Sequence, residues 1–118
     1  MSKRIQRVNQ LIKREISQII LREIEFPSNV LVTVTRVETS SDLLDSNVFV
    51  SVLPEKDLSK IVGFLNRRIN FLQSQINQLL RMKPLPRLKF LEEKETAEAG
   101  RIEEILAQLK KEEKRDKI

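Results

Sequence analysis

Cysteine and histidine are both absent from the 118 residues. Their absence removes disulfides, thiolate nucleophiles, imidazole bases and the usual zinc ligands, closing most routes to covalent or transition-metal catalysis. Carboxylate-only chemistry is what remains. Glu38, Asp42, Asp45, Glu55 and Asp57 read as strand-end, turn and helix-start residues rather than as a converging pair. No nucleophile, base and orienting group can be assembled, so no catalytic residue, metal site or cofactor is expected and the chain reads as a non-enzyme. Tryptophan and tyrosine are missing too, which leaves few rings for stacking on nucleobases. Apolar runs are only a few residues long, far short of the roughly 20 needed to cross a bilayer. The opening MSKRIQRVNQ is positively charged but has no apolar stretch or small-residue cleavage site behind it. Neither a membrane association nor a secretory signal is expected, and the chain reads as cytoplasmic.

A further absence is local. Between Leu58 and Leu91 there is no aspartate or glutamate, while Lys60, Arg67, Arg68, Arg81, Lys83, Arg87 and Lys89 are all basic. A helix built only for solubility mixes the two signs, so that pairs at i,i+4 offset repulsion. The net charge of +5 is also unevenly spread: residues 1–91 carry +7 and residues 92–118 carry −2. A basic region with an acid-depleted face points to a polyanion, most often nucleic acid; anionic membrane is the weaker option and is not expected as a partner, because the basic helix lacks an exposed apolar face once its seam packs on the sheet.

The length suits a single domain around one core. Ile5, Val8, Ile12, Ile16 and Ile19 recur at helical spacing, with Leu11 and Ile20 widening the stripe, which predicts a helix from Lys3 to Glu25, capped by Ser2 and stopped by Pro27. Val30 to Glu38 alternates valines with threonines as a half-buried strand, TSSDLLDS supplies a turn, and a second strand runs from Asn47 to Leu53. The two are expected to pair antiparallel. Pro54 or Asp57 starts a helical region in which Leu58, Val62, Leu65, Ile69, Leu72, Ile76 and Leu79 recur by fours and threes. Phe64 and Phe71 broaden that seam beyond a coiled-coil stripe, so packing on a sheet is expected. Arg87 to Leu91 forms a third strand, which returns after a helical crossover and so lies parallel to a neighbour. A last helix is expected from Glu98 to Lys111, followed by a charged tail. The fold class is α+β, a three-stranded mixed sheet packed against helices.

The candidate binding residues follow from the charge map. On a continuous helix Lys60, Arg67, Ser74 and Arg81 lie in a row nearly opposite the apolar seam, with Asn70 and Asn77 flanking it. Such a face suits a phosphate backbone, the cations releasing counterions and the amides bonding sugars or bases. A solvated face that merely lacks acids is the competing reading, disfavoured because the depletion continues through the turn into the third strand. Lys83, Arg87 and Lys89 either extend this surface or form a charged edge that discourages aggregation. Lys3, Arg4 and Arg7, with Lys13 and Arg14 behind them, form a second basic region that is equally readable as a soluble helix surface. Phe49 either stacks on a base or is covered by the helix around Ile105. A function of another class stays open: a protein-interaction module pairing through its long amphipathic helix, whose binding would resist salt where phosphate binding would not.

In order and spacing, RIQRVNQLIKREISQII (Arg4 to Ile20), SSDLLDSNVFVSVL (Ser40 to Leu53), and KPLPRLKF (Lys83 to Phe90) leading to GRIEEIL (Gly100 to Leu106) resemble the bacterial ribosome-binding factor A family. The resemblance spans nearly the whole chain. It implies a type II KH-like domain of order α-β-β-α-kink-α-β over residues 1–92, a C-terminal helical extension over 93–112 and a disordered tail over 113–118. It also implies an assembly factor, monomeric when free, that binds the immature 30S subunit and its 16S rRNA near the decoding-region neck, with ribosomal proteins as possible neighbours. In the family this supports late maturation, 5′-end processing of the rRNA and growth in the cold. KH domains usually grip single strands with a GxxG loop, which the family replaces by a kink carrying Ala-x-Gly. Here Arg68, Ile69 and Asn70 occupy the kink. Without a small residue, the local pattern predicts a helix with little or no bend, holding RNA by the side chains of Arg67, Arg68, Asn70 and Arg81 rather than by bare backbone.

Overall fold

The computed structural model describes residues 3–27, 29–81 and 85–93. Helix α1 spans Lys3–Glu23, strands β1 and β2 span Leu31–Thr39 and Asp45–Leu53, helices α2 and α3 span Leu58–Arg67 and Ile69–Leu79, and strand β3 spans Arg87–Glu92. A short 3₁₀ turn, Glu55–Asp57, leads from Pro54 into α2. Lys83, the helix expected at Glu98–Lys111 and the tail lie outside the described residues.

The sheet order is β1-β2-β3, antiparallel between the first pair and parallel between the second. One face is apolar and carries all three helices: Val48, Val50 and Phe90 are fully buried there against Ile12, Leu65 and Leu72. The stripe read from α1 holds, with Val8, Ile12, Ile16, Ile19 and Ile20 all buried. The tight turn between β1 and β2 is built by side chains. Asp42 accepts from the Ser40 hydroxyl at 2.6 Å and from the Leu44 N–H at 3.0 Å, while Leu43 takes a left-handed φ of 61°. Those two bonds hold the Asp42 carboxyl below the usual carboxylate range.

Period-2 alternation in β1 is interrupted by a bulge at Thr35, between Val34 and Arg36. The bulge turns Val37 back toward the helices, so that Val34 and Val37 are both buried although they are three apart. It also aims Thr35 and Arg36 at Glu93. The Thr35 hydroxyl donates to Glu93 Oε1 at 2.7 Å and Arg36 Nε donates to the same oxygen at 2.9 Å, closing the end of β3 onto β1 across the open face. Burial alone would raise the Glu93 carboxyl, but the bonds from Arg36 and Thr35 outweigh it and hold it below the ordinary 4.5. A carboxyl depressed in the folded state contributes stability that is complete above its unfolded pKa and is lost as pH falls through the folded value. Glu93→Gln is therefore expected to cost about 1–2 kcal/mol at neutral pH. Urea midpoints should approach those of the parent as pH falls below the ordinary carboxylate range, and a gap that does not narrow in acid would count against this role.

The helical region is not one helix. It breaks at Arg68, whose φ of −105° and ψ of 18° lie outside the helical well. The Arg68 N–H donates to the Leu65 carbonyl at 3.0 Å, a tightened last turn, and its own carbonyl accepts from Leu72 at 3.1 Å to start α3. The local pattern's expectation of little or no bend does not extend to an unbroken helix, and the order with a break between two helices, implied by the family resemblance, is what forms. The seam shifts accordingly. Ile61, Val62 and Leu65 are buried from α2, and Leu72 and Ile76 from α3, while Ile69 at the break is only half-buried. Leu79, expected inside, is 48% exposed, and Leu80 takes its place because the backbone turns extended there, with φ −101° and ψ 120°.

Why the helix breaks is visible along the outer edge of β3. Asn66 of α2 donates from Nδ2 to the Phe90 carbonyl and accepts the Phe90 N–H at Oδ1, both at 2.9 Å. Gln73 of α3 accepts the Leu88 N–H at 2.8 Å and donates to the Pro86 carbonyl at 3.1 Å. Each amide stands in for a neighbouring strand. Seven residues of straight helix advance about 10.5 Å, whereas two residues of strand advance only about 6.7 Å. The break at Arg68 lies between the two anchors, where that mismatch has to be absorbed.

Candidate nucleic-acid interface

The solvent side of α2 and α3 carries the acid-depleted surface. Lys60, Arg67, Arg68, Asn70, Ser74 and Asn77 are all exposed on it, and Arg81 is exposed just past the end of α3. Among the described residues no carboxylate pairs with Lys60, Arg67, Arg68 or Arg81. The seven-residue row is not on one helix, however. Lys60 and Arg67 belong to α2 and Ser74 to α3, with the break between them.

The two arginines at the break are directed back along α2, as long side chains on a helix are. Arg67 reaches over the bare Cα of Gly63, where a methyl group would meet its Nη1 at 3.5 Å. The Arg68 guanidinium lies over the Phe64 ring, with Cζ 3.6 Å from the centroid. Phe64 leans in turn on Phe26, with centroids 5.6 Å apart at 47°. Asn77 is less available than the sequence suggests, since it accepts from Gln73 Nε2 at 3.1 Å through its side-chain oxygen.

Arg87 and Lys89 do not extend this surface. They alternate with Leu88 and Phe90, which face the helices, so both cations project from the opposite, open face of the sheet. Arg87 meets Asp45 there at 3.4 Å, an exposed pair, and Lys89 lies beside Asn47. Phe49 is on the same open face and is covered by a side chain the sequence did not point to. Arg36 Cζ sits 3.8 Å from its centroid, and that guanidinium is held by both Glu93 and Glu38. Lys3, Arg4 and Arg7 are exposed along the first turns of α1. Lys83 lies outside the described residues. Among the described residues, no helix is long and apolar enough to cross a membrane.

The family model described as ribosome-binding factor A matches residues 4–106. This chain belongs to the ribosome-binding factor A family. The ribosome-binding factor A of Thermodesulfovibrio yellowstonii is 38% identical over 109 residues, covering 92% of each chain. The crystal structure of ribosome-binding factor A from Thermus thermophilus superposes with a TM-score of 0.67 at 28% identity, covering 75% of this chain and 93% of that one. A homology model of the Thermus thermophilus protein, fitted into a cryo-electron microscopy map of its complex with the 30S subunit, superposes with a TM-score of 0.60 at 30% identity, covering 70% of this chain and 88% of that one. The helix break at Arg68-Ile69-Asn70 forms without glycine or alanine. The apolar seam is spent on the sheet, Leu65, Leu72 and Ile76 being at most 1% exposed, so the seam itself is not free to pair with a partner helix.

Proposed function

We propose that this protein binds the immature 30S subunit through 16S rRNA and acts as a non-catalytic factor in its late maturation. The observation that carries this reading is the solvent face of α2 and α3, whose own residues include no acid and where four exposed cations stand without a carboxylate partner among the described residues, the Glu92 carboxylate that reaches α2 accepting instead from Ser59 at 2.7 Å. Unneutralised guanidinium and ammonium groups on a rigid, sheet-backed surface release counterions when they meet phosphates, and the gain is greatest where the polyanion is dense. The likeness to a protein whose model has been fitted into a 30S complex supplies the polyanion.

On this reading residues 1–92 are the RNA-binding unit. Lys60, Arg67, Arg68 and Arg81 hold phosphates, Asn70, Ser74 and Asn77 bond sugars or bases, and Lys3, Arg4, Arg7, Lys83, Arg87 and Lys89 add contacts at the periphery. The protein works in the cytoplasm as a monomer, without a cofactor, and supports 5′-end processing of the rRNA and growth in the cold. In sucrose gradients of a cell extract it is expected with free small subunits and not with translating ribosomes. Recovery only with translating ribosomes would overturn the maturation role.

A further inference from the structure

Two arginines in this fold lie flat on phenylalanine rings, and their surroundings differ in one decisive way. Arg36, over Phe49, has its N–H groups taken by Glu93 and Glu38. Arg68, over Phe64 at 3.6 Å, is exposed and has no carboxylate partner among the described residues. One side of the Arg68 guanidinium plane is fixed by the ring, which is itself braced by Phe26. The other side faces solvent. Phe71, in the first turn of α3, is 42% exposed.

A planar cation held in place by a ring has already lost much of the rotamer freedom that an arginine gives up on binding. Its open face can stack on a nucleobase, and its edge can donate to phosphate. In an uninterrupted duplex the base faces are covered by their neighbours, so only an unpaired base can enter. We propose that Arg68, pre-stacked on Phe64, is a seat for one unpaired RNA base, and that it makes this surface prefer single-stranded or bulged RNA to continuous duplex. This rests on the reading of the α2–α3 face as an RNA surface and adds to it the form of RNA selected.

The test uses the full chain with two probes, a single-stranded RNA 12-mer carrying a central 2-aminopurine and a blunt duplex RNA of the same length. Arg68→Lys keeps the charge and removes the plane. It is expected to weaken single-strand binding about tenfold, to leave duplex binding within about twofold, and to abolish the change in 2-aminopurine fluorescence seen with the parent. Phe64→Leu should act in the same direction. Because Phe64 is half-buried and that variant is open to misfolding, the surface substitution at Arg68 is the deciding one. Arg67→Ala removes a cation that stacks on no ring among the described residues and should weaken both probes equally. If Arg68→Lys weakens both probes alike or neither, while Arg67→Ala weakens both, the base seat is wrong and the RNA surface stands. If neither variant changes binding of either probe, both readings fall.

Discussion

Replacing Arg67, Arg68 and Arg81 together with alanine is expected to weaken binding to free small ribosomal subunits on the order of 100-fold at moderate salt. Three exposed cations leave a face to which α2 and α3 contribute no aspartate or glutamate. The salt dependence gives a sharper readout than affinity alone. Each phosphate contact contributes about 0.7–0.9 to the slope of log K against log salt, so the triple variant should flatten that slope by about 2–3. None of the three side chains belongs to the core; Arg68 packs on Phe64 and Arg67 lies over Gly63. The thermal midpoint should therefore move by only a few degrees, which separates lost binding from lost structure. A variant that binds subunits as tightly as the parent, with an unchanged slope, would remove the α2–α3 face from the interface. An Arg87→Ala, Lys89→Ala pair offers a directional control. It lies on the opposite face of the sheet, with Arg87 already near Asp45, and is expected to cost less than the triple variant by at least about tenfold.

The order and type of the elements could be read from local pattern because each is reinforced by neighbours in sequence. The isoleucine stripe of α1, the alternating valines of β2 and the stop at Pro54 all act over a few residues. Features decided by distant partners could not be read. The break at Arg68 contains neither proline nor glycine, and its apolar spacing continues smoothly from Leu65 to Leu72. The contacts that flank it are on β3, where Asn66 reaches Phe90 and Gln73 reaches Leu88, contacts separated by 24 and 15 residues of chain. The bulge at Thr35 is hidden for the same reason, because its hydroxyl and the adjacent arginine answer to Glu93, 58 and 57 residues away. The candidate site divides along this line. Unopposed charge is a property of residue types and was plain, whereas the stacking of Arg68 on Phe64 depends on a backbone that only the break provides. The placement of Arg87 and Lys89 was legible after all. Their alternation with Leu88 and Phe90 puts them on the face the helices do not cover, which rules out a surface shared with α2 and α3.

The second large effect concerns the amides that set this geometry. Asn66→Leu is expected to destabilise the fold by about 2–4 kcal/mol although leucine is nearly the same size and more apolar. The substitution leaves the Phe90 N–H and carbonyl without partners at the edge of β3, beside a ring that is fully buried. Asn66→Asp should cost less at the N–H, which keeps an acceptor, but it sets two oxygens against each other at the carbonyl. Gln73→Leu should show the same sign through Leu88 and Pro86. For a domain of this size a loss of about 2 kcal/mol lowers the melting temperature by about 8–16 °C. The double variant Asn66→Leu, Gln73→Leu bears on function as well as stability. The two anchors flank Arg68 and act on the same break, so their losses should not add, and a cycle of single and double variants should return a coupling of about 0.5–3 kcal/mol. A break held by these anchors should also let Arg68 leave Phe64 when they are removed, so that single-strand preference falls before the protein unfolds. If the two losses add within about 0.5 kcal/mol and the preference for unpaired RNA is retained, the break is an intrinsic property of the Arg68–Asn70 segment and β3 has no part in shaping the RNA surface.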